Sequence, residues 1–199
     1  MNILRLAAVL AVLAVPAWAM ATGAGGDLPD PPPTDWQGQA QLFGRVAPST
    51  DDDGIIAWER QHQAVLSSGY LFDLSRRLLA RDPDQAMEFY VVAMVRGRYD
   101  SGRCVDDTAG RAVSRLSGMA AEVLRYGESH RGEFAIAGQR ALARPDLLSH
   151  TIHPDWVCVQ ALSGMGGRSA GTTPPANWPA LEQKLRREWG RQFEAMAAR

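Results

Sequence analysis

Apolar side chains recur every three or four residues through most of this chain, and this period constrains the fold more than any other feature. It is clearest near the C-terminus, where Leu181, Leu185, Trp189, Phe193 and Met196 share one helical face. No stretch of strict apolar and polar alternation competes with it, so strands are not expected. The sequence therefore predicts an all-α fold.

Capping residues and glycines divide this helical part into segments. The acidic run 51–53 is typical of a helix start, and Gly69 is interpreted as the stop of that first segment. Asp82-Pro83 predicts a helix with proline at its first position, ending near Gly97. We predict a single compact domain of about six or seven helices. It is expected to span residues 51–199.

The N-terminus has the order of features found in a secretory signal peptide. Arg5 precedes the apolar run Leu6–Val15, and Ala17-Trp18-Ala19 supplies the small residues that signal peptidase requires. A membrane anchor is the alternative, but a run of about ten apolar residues is short against the ~20 that span a bilayer. We predict a signal peptide over residues 1–19, a periplasmic or secreted location, and no stable membrane anchor after cleavage.

The residues that follow the predicted cleavage site are rich in glycine and proline. Residues 22–35 (TGAGGDLPDPPPTD) offer few apolar side chains for burial. Such a composition is typical of a flexible linker, which we place over residues 20–50.

The chain has two cysteines, Cys104 and Cys158, both beyond the signal peptide. An even pair in an oxidising compartment usually forms a disulfide, although metal ligation and a nucleophilic thiol are alternatives. We predict a disulfide that joins a loop carrying Cys104 to a helix carrying Cys158.

The balance of charge narrows the class of partner. The chain carries 21 basic and 22 acidic residues, for a net charge of −1. Phosphate binding requires a concentrated basic surface, so we expect no nucleic-acid partner.

Two groups of residues have the composition of a metal site. His150, His153 and Asp155 combine imidazole with carboxylate, which suits zinc and related ions. The competing interpretation is a capped turn at a helix start, which we favour. Glu59 and His62 form one Glu-x-x-His pair, whereas di-iron bundles need two, so we interpret the pair as a solvated helix face. We predict no cofactor.

Glu128-Ser129 follows Tyr126-Gly127 and is similar to the Glu-Ser that carries the catalytic acid of lytic transglycosylases. The Gly-Leu-Met-Gln segment of that family does not follow here. A single acid of this kind acts only when burial raises its pKa, and an exposed glutamate between helices is the ordinary alternative.

Two tryptophans flank the segments predicted to be flexible. Trp36 and Trp178 are candidate binding residues, because tryptophan is enriched in the hot spots of protein interfaces. We predict a protein that binds a partner protein in the cell envelope, as an immunity or inhibitor protein or an accessory subunit. The alternative is a peptidoglycan hydrolase or lyase using Glu128, or a metal-dependent hydrolase.

Overall fold

The computed structural model describes residues 28–148, 152–166 and 169–198. Within these ranges the chain forms helices and loops, with one isolated antiparallel bridge between Cys104 and Thr172 and no strand. The helices are α1 (Trp36–Val46), α2 (Asp52–His62), α3 (Ser68–Leu78), α4 (Pro83–Gly102), α5 (Gly110–Ser117), α6 (Ala121–Ser129), α7 (Arg131–Ala143), the single turn α8 (Asp155–Cys158) and α9 (Trp178–Ala197). The prediction of an all-α single domain is confirmed.

Helix α4 lies at the centre of the fold. Val91, Val92, Ala93 and Val95 are all fully buried, so that α4 is enclosed on several sides rather than along one stripe. Helices α3 and α7 pack on it, and α9 packs on the outer side of α7. A smaller apolar cluster joins α1, α2 and the start of α3.

Aspartate side chains cap three of the first four helices. Asp51 Oδ1 accepts a hydrogen bond from Gly54 N at 3.2 Å, and Asp82 Oδ1 accepts one from Gln85 N at 3.0 Å. These carboxylates satisfy backbone donors that have no partner within the helix. The helix start predicted at Asp82-Pro83 is confirmed, with Pro83 in the first turn of α4.

Two expected helix boundaries are wrong. Helix α4 continues through Gly97 to Gly102, and Gly69 lies in the first turn of α3 instead of ending α2. A Cβ at position 97 would lie 2.7 Å from a methyl group of Val113, so Gly97 permits close packing of α4 on α5. Helices α5 and α6 are joined by a 3₁₀ turn at Gly118–Ala120.

The predicted linker contains ordered structure that belongs to the helical domain. Helix α1 buries Leu42 and Val46, and the indole N–H of Trp58 donates to the Pro29 carbonyl at 2.9 Å. The expected boundary at residue 51 therefore does not mark the start of the helical part. Residues 1–27, with the predicted signal peptide and the first part of the linker, lie outside the described residues. None of the described helices has the length and hydropathy needed to cross a bilayer.

The predicted disulfide is confirmed. Cys104 and Cys158 are bonded, with their Cα atoms 5.4 Å apart. Cys104 lies in the loop after α4 and Cys158 is the last residue of α8, as expected. The bond therefore joins two loop-rich segments that have little secondary structure of their own.

Candidate functional site: an apolar cleft

A cleft of about 350 Å³ opens between α1, the first turn of α3, helix α5 and the segment around α8. We call it the α1–α8 cleft. Its walls are mainly apolar and are formed by Trp36, Ala40, Phe43, Leu116, Ile152 and Trp156. Gln39, Arg115 and Gln160 are among its polar lining residues.

Helix α1 forms one wall because its sequence carries two different faces. Leu42 and Val46 point into the small cluster, whereas Trp36, Ala40 and Phe43 recur at spacings of four and three and line the cleft. Trp36 is half-buried and Ala40 is exposed, so this wall is open to solvent on one side.

A buried glutamine fixes α1 against the chain that precedes α3. The side-chain amide of Gln39 donates to the carbonyls of Pro33 and Val65, at 3.0 and 2.7 Å, and its oxygen accepts from Ser67 N at 3.0 Å. The Gln39 carbonyl also accepts from the hydroxyl of Tyr70 at 2.7 Å. Because every polar atom of this side chain is engaged, the position of the α1 wall is set before any ligand arrives.

Trp156 of α8 also lines the cleft, and its ring is held by a chain of polar and aromatic contacts. Its indole N–H donates to the buried Asp100 carboxylate at 2.8 Å, and Asp100 forms an ion pair with Arg103. The Arg103 guanidinium lies over the rings of Tyr99 and Trp178, at 4.5 and 4.8 Å from their centroids. These cation–π contacts connect the start of α9 to the wall of the cleft.

The loop after α8 is tied to the loop before α5. Asp106 Oδ2 accepts from Ser163 N at 2.9 Å, and Thr108 Oγ1 accepts from Leu162 N at 2.9 Å. The hydrogen bonds that Asp106 accepts hold its pKa below the usual value, because they favour the charged carboxylate. Together with the disulfide, these bonds keep the α8 wall in place.

The two candidate binding tryptophans have different surroundings. Trp36 lines the α1–α8 cleft. Trp178 is half-buried over Arg103, and its indole N–H donates to the Thr173 carbonyl at 3.2 Å. Trp178 therefore packs within the fold and does not line the cleft.

The candidate metal ligands are only partly described. His150 lies outside the described residues. His153 Nδ1 lies 3.2 Å from the Asp155 carboxylate and accepts a hydrogen bond from Asp155 N at 3.3 Å. In the parts of the chain that the structure describes, no three His, Cys, Asp or Glu side chains are grouped to hold a metal ion.

Glu128 is exposed on the last turn of α6 and does not line the α1–α8 cleft. The described structure provides no burial around this carboxyl. Catalysis by Glu128 stays a prediction, and assaying peptidoglycan turnover by wild type and Glu128→Gln tests it.

The interpretation of Glu59 and His62 as a solvated face is wrong. Glu59 is fully buried, and the His62 side chain is only 10% exposed. A signal existed in the sequence, because Glu59 follows Ile55 by four residues and lies on the same helical stripe.

Glu59 belongs to a buried network of charged groups between α2 and α3. Burial raises the pKa of Glu59 well above its usual value of 4.5, and the nearby charge of Asp73 raises it further. Asp73 accepts from Arg76 Nε at 2.7 Å and from Arg77 Nε at 2.6 Å. Arg77 also donates to the Val46 carbonyl at 2.9 Å, so the network closes the C-terminal end of α1. It lies away from the cleft and stabilises the helix whose other face forms the cleft wall.

Comparison with known proteins provides no functional assignment: no family model, curated protein or solved structure matches this chain.

Proposed function

We propose that this protein is exported and acts by binding a partner protein in the cell envelope, as an immunity or inhibitor protein or an accessory subunit. The binding site is the α1–α8 cleft. The observation that carries the proposal is an apolar cleft of about 350 Å³ that is already formed and is lined by two tryptophans, Trp36 and Trp156.

The chemistry of the cleft suits an apolar side chain of a partner. Protein interfaces draw most of their affinity from a few large side chains that enter well-packed pockets, and tryptophan and arginine are enriched there. Trp36, Trp156 and Arg115 supply these residue types around the cleft. Since Gln39 and Asp100 hold the two walls, little side-chain freedom is lost on binding.

Two features support the exported location. The first is the sequence of residues 1–19, with its basic, apolar and small-residue regions in order. The second is the disulfide between Cys104 and Cys158, since such bonds persist in oxidising compartments. Mass spectrometry of native protein tests this part of the proposal. An intact Met1 with two alkylatable thiols would contradict it.

The binding proposal is tested by filling the cleft. Ala40 is exposed and lines the cleft, so an Ala40→Trp variant should occupy the cleft without displacing the core. Gln41, the next residue of α1, is also exposed but does not line the cleft, and Gln41→Trp is the matched control.

Tagged wild type and both variants are used to isolate partners from the native envelope fraction after crosslinking. We expect one protein to be recovered with wild type and with Gln41→Trp, and to be at least ten-fold depleted with Ala40→Trp. Equal recovery with all three proteins, each shown to be folded by circular dichroism, would refute binding at the cleft.

A further inference from the structure

The α1–α8 cleft continues into a second depression of about 380 Å³ on the same side of the molecule. The two share Arg115 and Gln160, so they form one groove that runs along α5. The second part differs in character, because Arg111 joins Arg115 in its wall. Leu162 also lines the second part and is 52% exposed, one of the few large apolar side chains of the described residues with such exposure.

The arginines of this depression are free to bind an anion. Arg111 and Arg115 are exposed, and neither side chain has a hydrogen-bond or ion-pair partner among the residues that the structure describes. They are four residues apart on α5, where two like charges destabilise a helix by about 0.2–0.5 kcal/mol. This placement does not serve the stability of α5.

The carboxylates nearest in sequence do not neutralise the two arginines. Asp106 is occupied by hydrogen bonds from Thr108 and Ser163. Asp107 precedes Arg111 by four residues and is exposed, but it forms no ion pair with it in the described structure. The groove therefore presents positive charge directly beside an apolar cavity.

The side chain of Gln160, where the two depressions meet, favours one kind of ligand for the groove. Its side chain is exposed where the two depressions meet, and its amide offers both a donor and an acceptor. A peptide bond presents the complementary N–H donor and C=O acceptor, whereas a hydrocarbon chain with a single charged end presents neither along its length.

We infer that the groove binds an extended segment of a partner protein in which a large apolar residue is followed closely by Asp or Glu. The apolar residue enters the α1–α8 cleft, the carboxylate pairs with Arg115 and Arg111, and Leu162 contacts a second apolar residue. This inference rests on the proposed function and adds the chemistry of the bound segment to it.

A phage-displayed library of random dodecapeptides, panned on the immobilised full mature protein, tests the inference. We expect wild type to enrich peptides that carry a large apolar residue within a few positions of an acid. Arg115→Glu should lose this acidic preference, and Ala40→Trp should enrich none of these peptides. Arg187→Glu is the control, because Arg187 is exposed on α9 and outside the groove.

The best selected peptide and its variant with the acid changed to its amide are then titrated against the protein. With wild type we expect the amide to raise Kd at least ten-fold, and with Arg115→Gln to change it less than three-fold. The effect should weaken with added salt, since it arises between exposed charges.

The outcomes separate the two proposals. Peptides that require an open cleft but show no acidic preference, and bind Arg115→Glu equally well, would overturn this inference and leave the proposed function standing. If no selected peptide loses its binding in Ala40→Trp, both this inference and the proposed function would be overturned. Binding of dodecanoate that Ala40→Trp abolishes, with no peptide selected, would replace the peptide by a small amphiphile. A dimer that Ala40→Trp dissociates would replace it by a second copy of this chain.

Discussion

Replacing Glu59 by glutamine should change how the stability of this protein depends on pH. The carboxyl is fully buried and faces Asp73, whose carboxylate is bound by Arg76 and Arg77. Desolvation raises the pKa of Glu59 most, the Asp73 charge raises it further, and Arg77 opposes both. The folded protein therefore keeps a proton on Glu59 at pH values where the unfolded chain has lost it.

The sign and the size of the effect follow from proton linkage. Because the pKa of Glu59 is raised in the folded state, its contribution to stability is complete below the unfolded value of 4.5 and decreases as the pH rises toward the folded value. Within that window one proton is bound more tightly by the folded protein. The free energy of unfolding then falls by up to about 1.4 kcal/mol per pH unit, or about 2.7 kcal/mol over two units.

Glutamine is a close replacement for a protonated glutamate. It keeps the volume, cannot ionise, and its amide can donate to the Asp73 carboxylate. The free energy of unfolding of Glu59→Gln minus that of wild type should therefore increase steadily from about pH 5 upward. The slope of this increase is at most about 1.4 kcal/mol per pH unit.

Urea unfolding of wild type and Glu59→Gln at a series of pH values from 5 to 8 measures this difference. Glu194→Gln is the control, since Glu194 is exposed near the end of α9 and should give a curve parallel to wild type. If the free energies of unfolding of wild type and Glu59→Gln run parallel from pH 5 to 8, Glu59 is ionised in the folded protein. This result would refute the raised pKa of Glu59.

Three further changes probe other contacts, and a fourth serves as a control. Replacing Cys104 and Cys158 together by serine should lower stability by about 4 kcal/mol at most on the chain-entropy model, given their separation of 54 residues; an unchanged guanidinium midpoint would contradict this. Arg96→Met leaves three backbone carbonyls without their buried guanidinium donor and should cost about 3–5 kcal/mol in denaturant unfolding. In Gly138→Ala the new Cβ would lie 2.4 Å from an aromatic ring, which should cost about 1–3 kcal/mol by overpacking. Gly190→Ala, whose new Cβ would have nothing within 4 Å, should instead raise the free energy of unfolding by about 1 kcal/mol and so raise Tm, and equal effects of the two alanines would refute the packing argument.

The helical class was predictable because it depends on local patterns. The stripe from Leu181 to Met196 repeats within one segment, and α9 indeed runs Trp178–Ala197. Asp82-Pro83 marks the start of α4 through groups that belong to neighbouring residues. Local patterns of this kind predict a helix without information about the residues that pack against it.

Glycines misled the boundary predictions because their role here is set by distant residues. Gly97 predicts a helix end from local sequence alone, yet α4 continues through it to Gly102. A glycine is accommodated there because Val113 occupies the space that a side chain would need. The predicted linker was wrong for a related reason. The burial of α1 depends on the hydrogen bond from Gln39 to the Val65 carbonyl and on the Arg77 donors at the C-terminal end of the helix, and neither Val65 nor Arg77 adjoins α1 in sequence.

The cleft was less predictable still, since its walls come from segments more than a hundred residues apart. Trp36 and Trp178 were both predicted as binding residues because each flanks a segment predicted to be flexible, but their surroundings in the fold differ. Trp178 is half-buried because Arg103 lies beneath it, and Arg103 is held there by its ion pair with Asp100. The same Asp100 accepts a hydrogen bond from the indole N–H of Trp156, a residue that no sequence pattern selected and that lines the cleft together with Trp36. The buried Asp100 thus contributes to the position of two tryptophans: through Arg103 it supports Trp178 within the fold, and directly it holds Trp156 in the lining of the cleft. This role of Asp100 is visible only in the tertiary structure.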